Sequence, residues 1–388
     1  MAEARTPLNY GRQWISDADV RAVEDVLQSD WLTQGPAVPA FERALAESSR
    51  AGHAVAVSSA TAALHIACLA LDLGPGDVLW TSPNSFVASA NCALYCGARV
   101  DFVDIDPGTR NMSIAALEQK LQIAERTGAL PKIIVPVHFA GISCDMAAIA
   151  GLVRPYGIRI IEDASHALGA SYGAQPVGSC LCSDITVFSF HPVKIVTTGE
   201  GGAALTNNSA LAERLRLLRS HGITREPALM IAEPDGPWSY EQIMLGFNYR
   251  MTDIQAALGR SQLDRLASFV RIRNDLADHY DRLLKDVGLQ IPARPAADVS
   301  AMHLYVVTLA SSKQREGVFR HLRTRDIFAN VHYIPIHLQP YYRALGFQSG
   351  DFPVAEDHYR RCLTLPLHPQ MAREDVDFVV ATMREAVE

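Results

Sequence analysis

The sequence predicts an α/β protein in two unequal parts. A large domain over residues 1–255 is built on a mixed, mostly parallel sheet, and residues 256–388 form a linking helix and a smaller α+β domain. Three observations carry this. From residue 53 short apolar runs alternate with segments of helical period, the strand–helix–strand pattern of crossover connections. The runs Lys132–Val137 and Ile158–Glu162 are nearly continuous in apolar residues, as strands covered on both faces are. Beyond a helical stretch from Thr252 to Leu284 the alternation gives way to shorter mixed elements. A chain of 388 residues also exceeds one minimal core and suits a large domain with a smaller one.

Taken in order, Asn9–Trp14 is a short polar arm. Ser16, with Asp19 three residues on, caps a helix whose apolar face is Val20, Val23, Val26 and Leu27. Trp31–Pro36 breaks into a loop, and Phe41–Ser48 is a second short helix. His53–Val57 is a strand and Thr61–Leu71 a helix with Ala63, Leu64, Ala67, Cys68 and Leu71 on one face. Val78–Thr81 is a strand, Ser85–Tyr95 a small-residue helix ending at Gly97, Arg99–Ile105 a strand and Ile114–Glu125 a helix. Met146–Val153 is the helix between the two buried runs, and Ile185–Phe190 and Ala203–Leu205 are further strands. Residues 221–248 hold Gly, Pro and Trp without a clear period, which marks a long functional loop. Thr252–Leu284 is one helix or two in series. Leu304–Leu309, a helix near Gln314–Thr324, a strand Ala329–Tyr333 and a last helix near Arg373–Ala386 complete the smaller part.

Composition narrows the function classes. Apolar content of 48% and charged content of 20% are ordinary for a globular protein in water. With 42 acidic against 35 basic residues the net charge is −7, so there is no basic footprint for nucleic acid. No apolar run approaches a membrane span, and the first residues, Met-Ala-Glu-Ala-Arg-Thr-Pro, have no hydrophobic signal region. A cytoplasmic protein without nucleic-acid or membrane partners is expected. The seven cysteines include no Cys-x-x-Cys pair, so buried reduced thiols are expected rather than a disulfide frame or a metal site.

The chemistry gathers around residues 184–202. Pro192 ends the strand Ile185–Phe190, because proline has no N–H to give a ladder. Lys194 follows, in a loop closed by Thr197, Thr198, Gly199, Gly201 and Gly202 before the next short apolar run. By itself this lysine reads as a surface residue that keeps its ammonium in water. The functional reading is a lysine held away from water, whose neutral amine attacks a carbonyl. Ser58-Ser59-Ala60-Thr61 lies where a strand passes into a helix, and the free N–H groups there suit either plain capping or a phosphate. Neither a P-loop nor a dinucleotide fingerprint occurs. Asp163, in Glu162-Asp163-Ala164-Ser165-His166, directly follows an apolar strand, where open α/β sheets bind ligands. It suits a cationic ring nitrogen or, more plainly, a turn. Gly169-Ala170-Ser171-Tyr172-Gly173 matches a nucleophile elbow, but Gln175-Pro176-Val177-Gly178 cannot propagate the helix that a serine hydrolase needs. A lysine, an aspartate and a phosphate-ready helix start after three strands together specify a pyridoxal 5′-phosphate site, with Phe86 as a stacking plane for the ring.

Six segments then fall in a recognisable order: Leu32-Thr33-Gln34-Gly35, Ser59-Ala60-Thr61-Ala62-Ala63-Leu64, Glu162-Asp163-Ala164, Ser189-Phe190-His191-Pro192-Val193-Lys194, Gly199-Glu200-Gly201-Gly202 and Asn248-Tyr249-Arg250-Met251. Over nearly its whole length the chain resembles the sugar aminotransferases of the DegT/DnrJ/EryC1/StrS family. That resemblance implies the fold-type I, aspartate-aminotransferase-like architecture of pyridoxal phosphate-dependent transferases. By position, Lys194 resembles the lysine that carries the cofactor and Asp163 the partner of its pyridine nitrogen. His166 matches the residue beside its phenolic oxygen. Ala60, Thr61 and Ser189 resemble the phosphate ligands and Phe86 the stacking residue. Asn248 resembles an asparagine that reaches the phosphate of the neighbouring subunit, which implies a homodimer with shared active sites.

Within the family, Ser165–Gly169, Arg219-Ser220-His221-Gly222 and Val331–Ile336 look closest to the branch acting in pseudaminic acid synthesis. The resemblance implies transfer of an amino group from glutamate to C4 of UDP-2-acetamido-2,6-dideoxy-β-L-arabino-4-hexulose, with Lys194 as general acid–base. Tyr10, Asp30, Trp31, Leu32, Thr33, Ala62, Val331, His332, Tyr333 and Ile334 would contact the UDP-linked 4-keto sugar. The D-xylo isomer is the rival substrate, and a regulatory role is the reading outside enzymes, since fold does not fix function. Lys194 and Asp163 argue against the latter.

Overall fold

The computed structural model describes residues 6–295 and 298–387. Seven strands form the central sheet: β1 (His53–Val57), β2 (Val78–Thr81), β3 (Arg99–Phe102), β4 (Ile133–Val135), β5 (Arg159–Asp163), β6 (Ile185–Ser189) and β7 (Gly202–Thr206). Their spatial order is β1-β7-β6-β5-β4-β2-β3. All neighbours are parallel except β7, which runs antiparallel to both β1 and β6. The reversal follows from the connection. A loop leads straight from β6 back to β7, whereas each parallel pair needs a longer crossover. β1, β5 and β6 therefore all end at the same edge of the sheet.

Alternation along the strands splits the core. Val55 and Val57 face a cluster with Leu64, Ile66, Ile133 and Val187, while Ala54 and Ala56 face Phe41, Phe188 and Phe190 on the other side. A separate cluster joins Leu276, Tyr280 and Leu284 to Tyr305, Val307, Leu363, Leu365, Val376, Val379 and Met383. Leu8 from the N-terminal arm completes it, because Leu8–Asn9 pairs in parallel with Ile327–Phe328.

The helical stretch after Thr252 is two helices in series, Asp253–Leu263 and Leu266–Leu284, one of the two expected forms. Other elements differ from expectation. The strand expected over Ala329–Tyr333 is absent; only Ile327–Phe328 is extended in a pair. Asn330 still exchanges backbone hydrogen bonds with Thr364, at 3.0 and 2.7 Å, but the chain then leaves that ladder. The Tyr333 N–H bonds the Asn84 side chain at 3.3 Å and the Ile336 N–H bonds the Pro83 carbonyl at 2.9 Å, which draws the segment towards the large sheet. Ladder partner for Tyr305–Thr308 is instead Cys362–Leu365, which follows the short helices Pro340–Ala344 and Pro353–Arg361. Residues 221–248 contain a small hairpin, Ile223–Thr224 with Glu241–Gln242.

The first helix, Asp17–Leu27, is capped by Ser16 as its sequence predicts, but its apolar face is not covered: Val20 and Leu27 are exposed. Its anchor is the wholly buried Asp19, which accepts from Ser261 at 2.6 Å, Gln262 at 2.7 Å and Arg265. Ser171–Tyr172 pairs with Gln175–Pro176 in a hairpin, which is not a nucleophile elbow. All seven cysteines are free, and no helix among the described residues is long and apolar enough to cross a membrane.

Candidate active site

Past the buried strand β6 the chain folds back on itself. The Thr198 N–H and the Thr197 hydroxyl both bond the Phe190 carbonyl, at 2.9 and 3.1 Å, and the Phe190 N–H bonds Gly201 O at 2.9 Å. This closure presents Lys194 at the floor of a cavity of about 500 Å³, a size that suits a small-molecule ligand. Among the described residues no hydrogen bond or ion pair engages Lys194 Nζ. Burial pushes its pKa down to about 8, against the opposing pull of the Asp163 charge. A lysine poised there has a neutral fraction near neutral pH that a solvated lysine lacks.

Asp163 ends β5 across the same cavity, and both its oxygens are held. Ser89 Oγ donates to Oδ2 at 2.6 Å, and the Ser165 hydroxyl and amide donate to Oδ1 at 2.6 and 3.1 Å. Ser85 lies behind Ser89, oxygen to oxygen at 2.7 Å. Three donors fix the orientation of this carboxylate and leave it facing the cavity.

The helix Ala60–Ala70 starts directly after β1. Ser59 caps it by accepting from the Ala62 N–H at 3.1 Å, and the Ala63 N–H bonds the Ser59 carbonyl at 3.0 Å. The Ala60 and Thr61 N–H groups have no acceptor inside the helix, and both residues line the cavity. The close seat of this helix end depends on Gly202, where a Cβ would stand 2.7 Å from Ala60 Cα and would overlap the Ala60 nitrogen. Free amides and the positive helix end make an anion cradle. Phe86, 61% exposed, overhangs the cavity as an uncovered aromatic face.

Three buried imidazoles, His166, His303 and His332, stand in the wall. Burial first, then the Lys194 charge, holds His166 well below the usual imidazole range and lowers His332 to about 3. His303 is likewise lowered by burial and its Nδ1 has no partner. All three are neutral at physiological pH.

Of the residues expected in the site, Lys194, Asp163, His166, Ala60, Thr61, Phe86, Ser189, Tyr10, His332 and Tyr333 line this one cavity. The others do not. Ala62 is buried in the apolar core behind the helix start, and Val331 packs against the buried cluster of Phe139, Leu304 and Val306 without reaching the lining. Asp30, Trp31, Leu32, Thr33 and Ile334 are exposed outside it, and Asn248 bridges to Ser220 away from it. Ser89, Ser165 and His303 were not anticipated. The i, i+4 spacing of Ser85 and Ser89 and the two-residue step from Asp163 to Ser165 were available signals. His303 carries none, since a distant segment delivers it.

The sequence from residue 13 to residue 384 matches the DegT/DnrJ/EryC1/StrS aminotransferase family. The chain belongs to that family. The spore coat polysaccharide biosynthesis protein SpsC of Bacillus subtilis is 38% identical over 386 residues, covering 98% of this chain and 97% of its own. The UDP-4-amino-4,6-dideoxy-N-acetyl-β-L-altrosamine transaminase of Campylobacter jejuni is 36% identical over 387 residues, covering 98% of each. Among solved structures, the proposed sugar aminotransferase Spr1654 of Streptococcus pneumoniae, in its PLP-form, superposes with a TM-score of 0.88 at 31% identity, covering 98% of this chain and 99% of that one. Its PMP-form matches with a TM-score of 0.89. Membership makes this chain a sugar aminotransferase of a family that uses pyridoxal phosphate. The residues present fit that group: an unpartnered lysine amine, a fixed carboxylate, a free-amide helix end and an open aromatic face surround one cavity.

Proposed function

We propose that the chain transfers an amino group from glutamate to C4 of UDP-2-acetamido-2,6-dideoxy-β-L-arabino-4-hexulose, the amination step of pseudaminic acid synthesis. The observation that carries this reading is that His332 and Tyr333, from the segment that resembles the pseudaminic branch, line the same cavity as Lys194 and Asp163. The Campylobacter relative is named for the product sugar of that reaction.

Lys194 would hold the cofactor and Asp163 its pyridine nitrogen; Ala60, Thr61 and Ser189 would hold its phosphate, with Phe86 on its ring. Bound there, pyridoxal phosphate supplies an aldehyde that accepts the amino group and a ring that withdraws electrons from the neighbouring C–H bond. Asp163, held by Ser89 and Ser165, would present its carboxylate to the ring nitrogen without reorganising. Lys194 Nζ removes a proton at the reacting carbon and returns it, a task suited to a pKa near the working pH. His166 presents a neutral ring to the same space, so it contributes hydrogen bonding and no charge. Tyr10 and His332, with ring centroids 5.1 Å apart, form the wall where the sugar would enter.

A homodimer with shared active sites belongs to this reading. Support comes from Asn248, which lies outside its own chain's cavity, and from Val20, Leu27, Trp31, Leu32, Ile231 and Leu245, which stay exposed on the single chain.

Overall identity does not separate substrates, because SpsC matches as well as the altrosamine transaminase. The deciding experiment is the ratio of kcat/KM for the L-arabino and D-xylo 4-keto sugars, with the C4 configuration of the product read by NMR. Contacts to one methyl group discriminate by about 1–3 kcal/mol, so partial cross-reactivity is expected. A preference for the L-arabino sugar is the predicted result. A clear preference for the D-xylo isomer would overturn the pseudaminic assignment and leave the aminotransferase standing.

A further inference from the structure

We propose that Tyr333 is a directed hydrogen-bond donor to an acceptor oxygen of the bound ligand, its hydroxyl hydrogen turned into the cavity by a one-way chain from the Ala140 amide through His166. The proposal rests on the aminotransferase reading for the identity of the ligand, but not for the direction of the chain.

The direction follows from what each group can do. The Ala140 N–H lies 3.3 Å from His166 Nδ1, and an amide nitrogen only donates, so Nδ1 accepts. A neutral imidazole carries a single ring hydrogen, which must then sit on Nε2. Nε2 is 3.1 Å from Tyr333 Oη, so the ring donates and the phenol oxygen accepts. The hydrogen of Tyr333 is thereby left over. Among the described residues no acceptor takes it, and the side chain lines the cavity.

The neutrality of His166 is built in from every side. The groups that bear on it are the Lys194 amine, the His332 ring, the His303 ring, whose centroid is 4.4 Å away, and the Tyr333 phenol, while the carboxylates of the same cavity, Asp163 and Glu200, bond neither ring nitrogen. Burial also keeps the Tyr333 phenol protonated, so it donates a hydrogen bond and does not act as a base.

Backbone geometry holds the chain in place. Ala140 sits in the left-handed region, at φ 59°, and its carbonyl accepts from the His303 N–H at 2.9 Å. At Gly141 a Cβ would stand 2.9 Å from both the His166 carbonyl and the Met302 nitrogen, so only glycine lets these segments meet. Tyr333 lies within 22° of parallel to the His166 ring and edge-on to Phe139, with its own N–H on Asn84. Two rings and two backbone anchors thus aim one hydroxyl.

Two acceptors share the required chemistry: the phenolic oxygen of the cofactor and the carbonyl oxygen of the keto sugar. Tyr333→Phe removes the donor and keeps the ring. If the cofactor is the acceptor, the visible band of the loaded, substrate-free enzyme and the pH midpoint of that band shift. If the sugar is the acceptor, the resting spectrum is unchanged and the Kd for the keto sugar rises roughly tenfold. Unchanged spectrum and unchanged sugar binding together overturn the proposal. His166→Phe, which removes the donor to Tyr333 Oη, should move the same readout in the same direction, whereas His166→Gln, whose amide can both accept and donate, should bring that readout back towards its wild-type value. A His166→Phe variant that behaves as wild type breaks the chain. Cofactor-free protein gives an independent readout. Nitrogen-15 spectra of labelled histidine should show His166 neutral with its hydrogen on Nε2, and a hydrogen on Nδ1 overturns the direction outright. Wild-type protein that takes up no pyridoxal phosphate would sink the aminotransferase reading while leaving this last test in force.

Discussion

Lys194 attacks a carbonyl only as the neutral amine, and its surroundings decide at what pH that form appears. With the pKa at about 8, the rate of pyridoxal phosphate capture by cofactor-free protein should rise with pH through a midpoint near 8, well below the 10.5 of a solvated lysine. The Asp163 charge works against burial here, so Asp163→Asn should move that midpoint lower still. Stopped-flow absorbance against pH checks both, and a midpoint near 10 would place Lys194 in water. The same Asp163→Asn variant keeps the shape and loses the charge. Turnover should fall by two to three orders of magnitude, about 3–4 kcal/mol, while the cofactor still binds. Near-normal turnover would mean that another carboxylate lies under the ring. Lys194 and Asp163 were legible in the sequence because each follows a short apolar run that could only be a buried strand. Their supports were not. Ser89 reaches Asp163 across 74 positions of the chain, with only its i, i+4 step from Ser85 as a signal, and His303 meets the His166 ring from a distant segment that carries none.

At the scale of elements, the site exists because β1, β5 and β6 end at one edge and β7 comes back beside them. Gly202 begins β7 and lies under the first turn of the helix Ala60–Ala70. Gly202→Ala should push that turn outward. Thermal unfolding should show a loss of about 1–3 kcal/mol, as overpacking does, together with weaker pyridoxal phosphate binding. A variant as stable and as tightly binding as wild type would show that the helix seat does not matter. The strands of the large sheet could be read from sequence because apolar, β-branched runs have few other uses. Ala329–Tyr333 misled for the same reason. The run looks like a strand, but Asn84 and Pro83 capture its backbone and turn it to the cavity, where Tyr333 lines the wall. The face of the helix Asp17–Leu27 misled differently. Periodicity reports an apolar stripe, but not whether the same chain covers it.

For the whole molecule the uncovered apolar residues and the position of Asn248 lead to one expectation. In a dimer with shared sites, mixing Lys194→Ala with Asn248→Ala subunits puts both defects in one site of each hybrid and none in the other. Activity should recover towards half of wild type per hybrid once subunits exchange. No recovery after exchange is demonstrated would confine Asn248 to its own subunit. Order of segments, more than any one of them, made the family legible from sequence, while the substrate depends on cavity-edge residues such as Tyr10 and His332 that converge only in the fold. Everything above hinges on Lys194 as the residue that carries the cofactor. Borohydride reduction of the pyridoxal phosphate-loaded protein, followed by peptide mass mapping, tests this most directly. A single pyridoxyl adduct on the peptide containing Lys194 is the predicted result; an adduct on another lysine, or protein that stays colourless and unmodified, would contradict it.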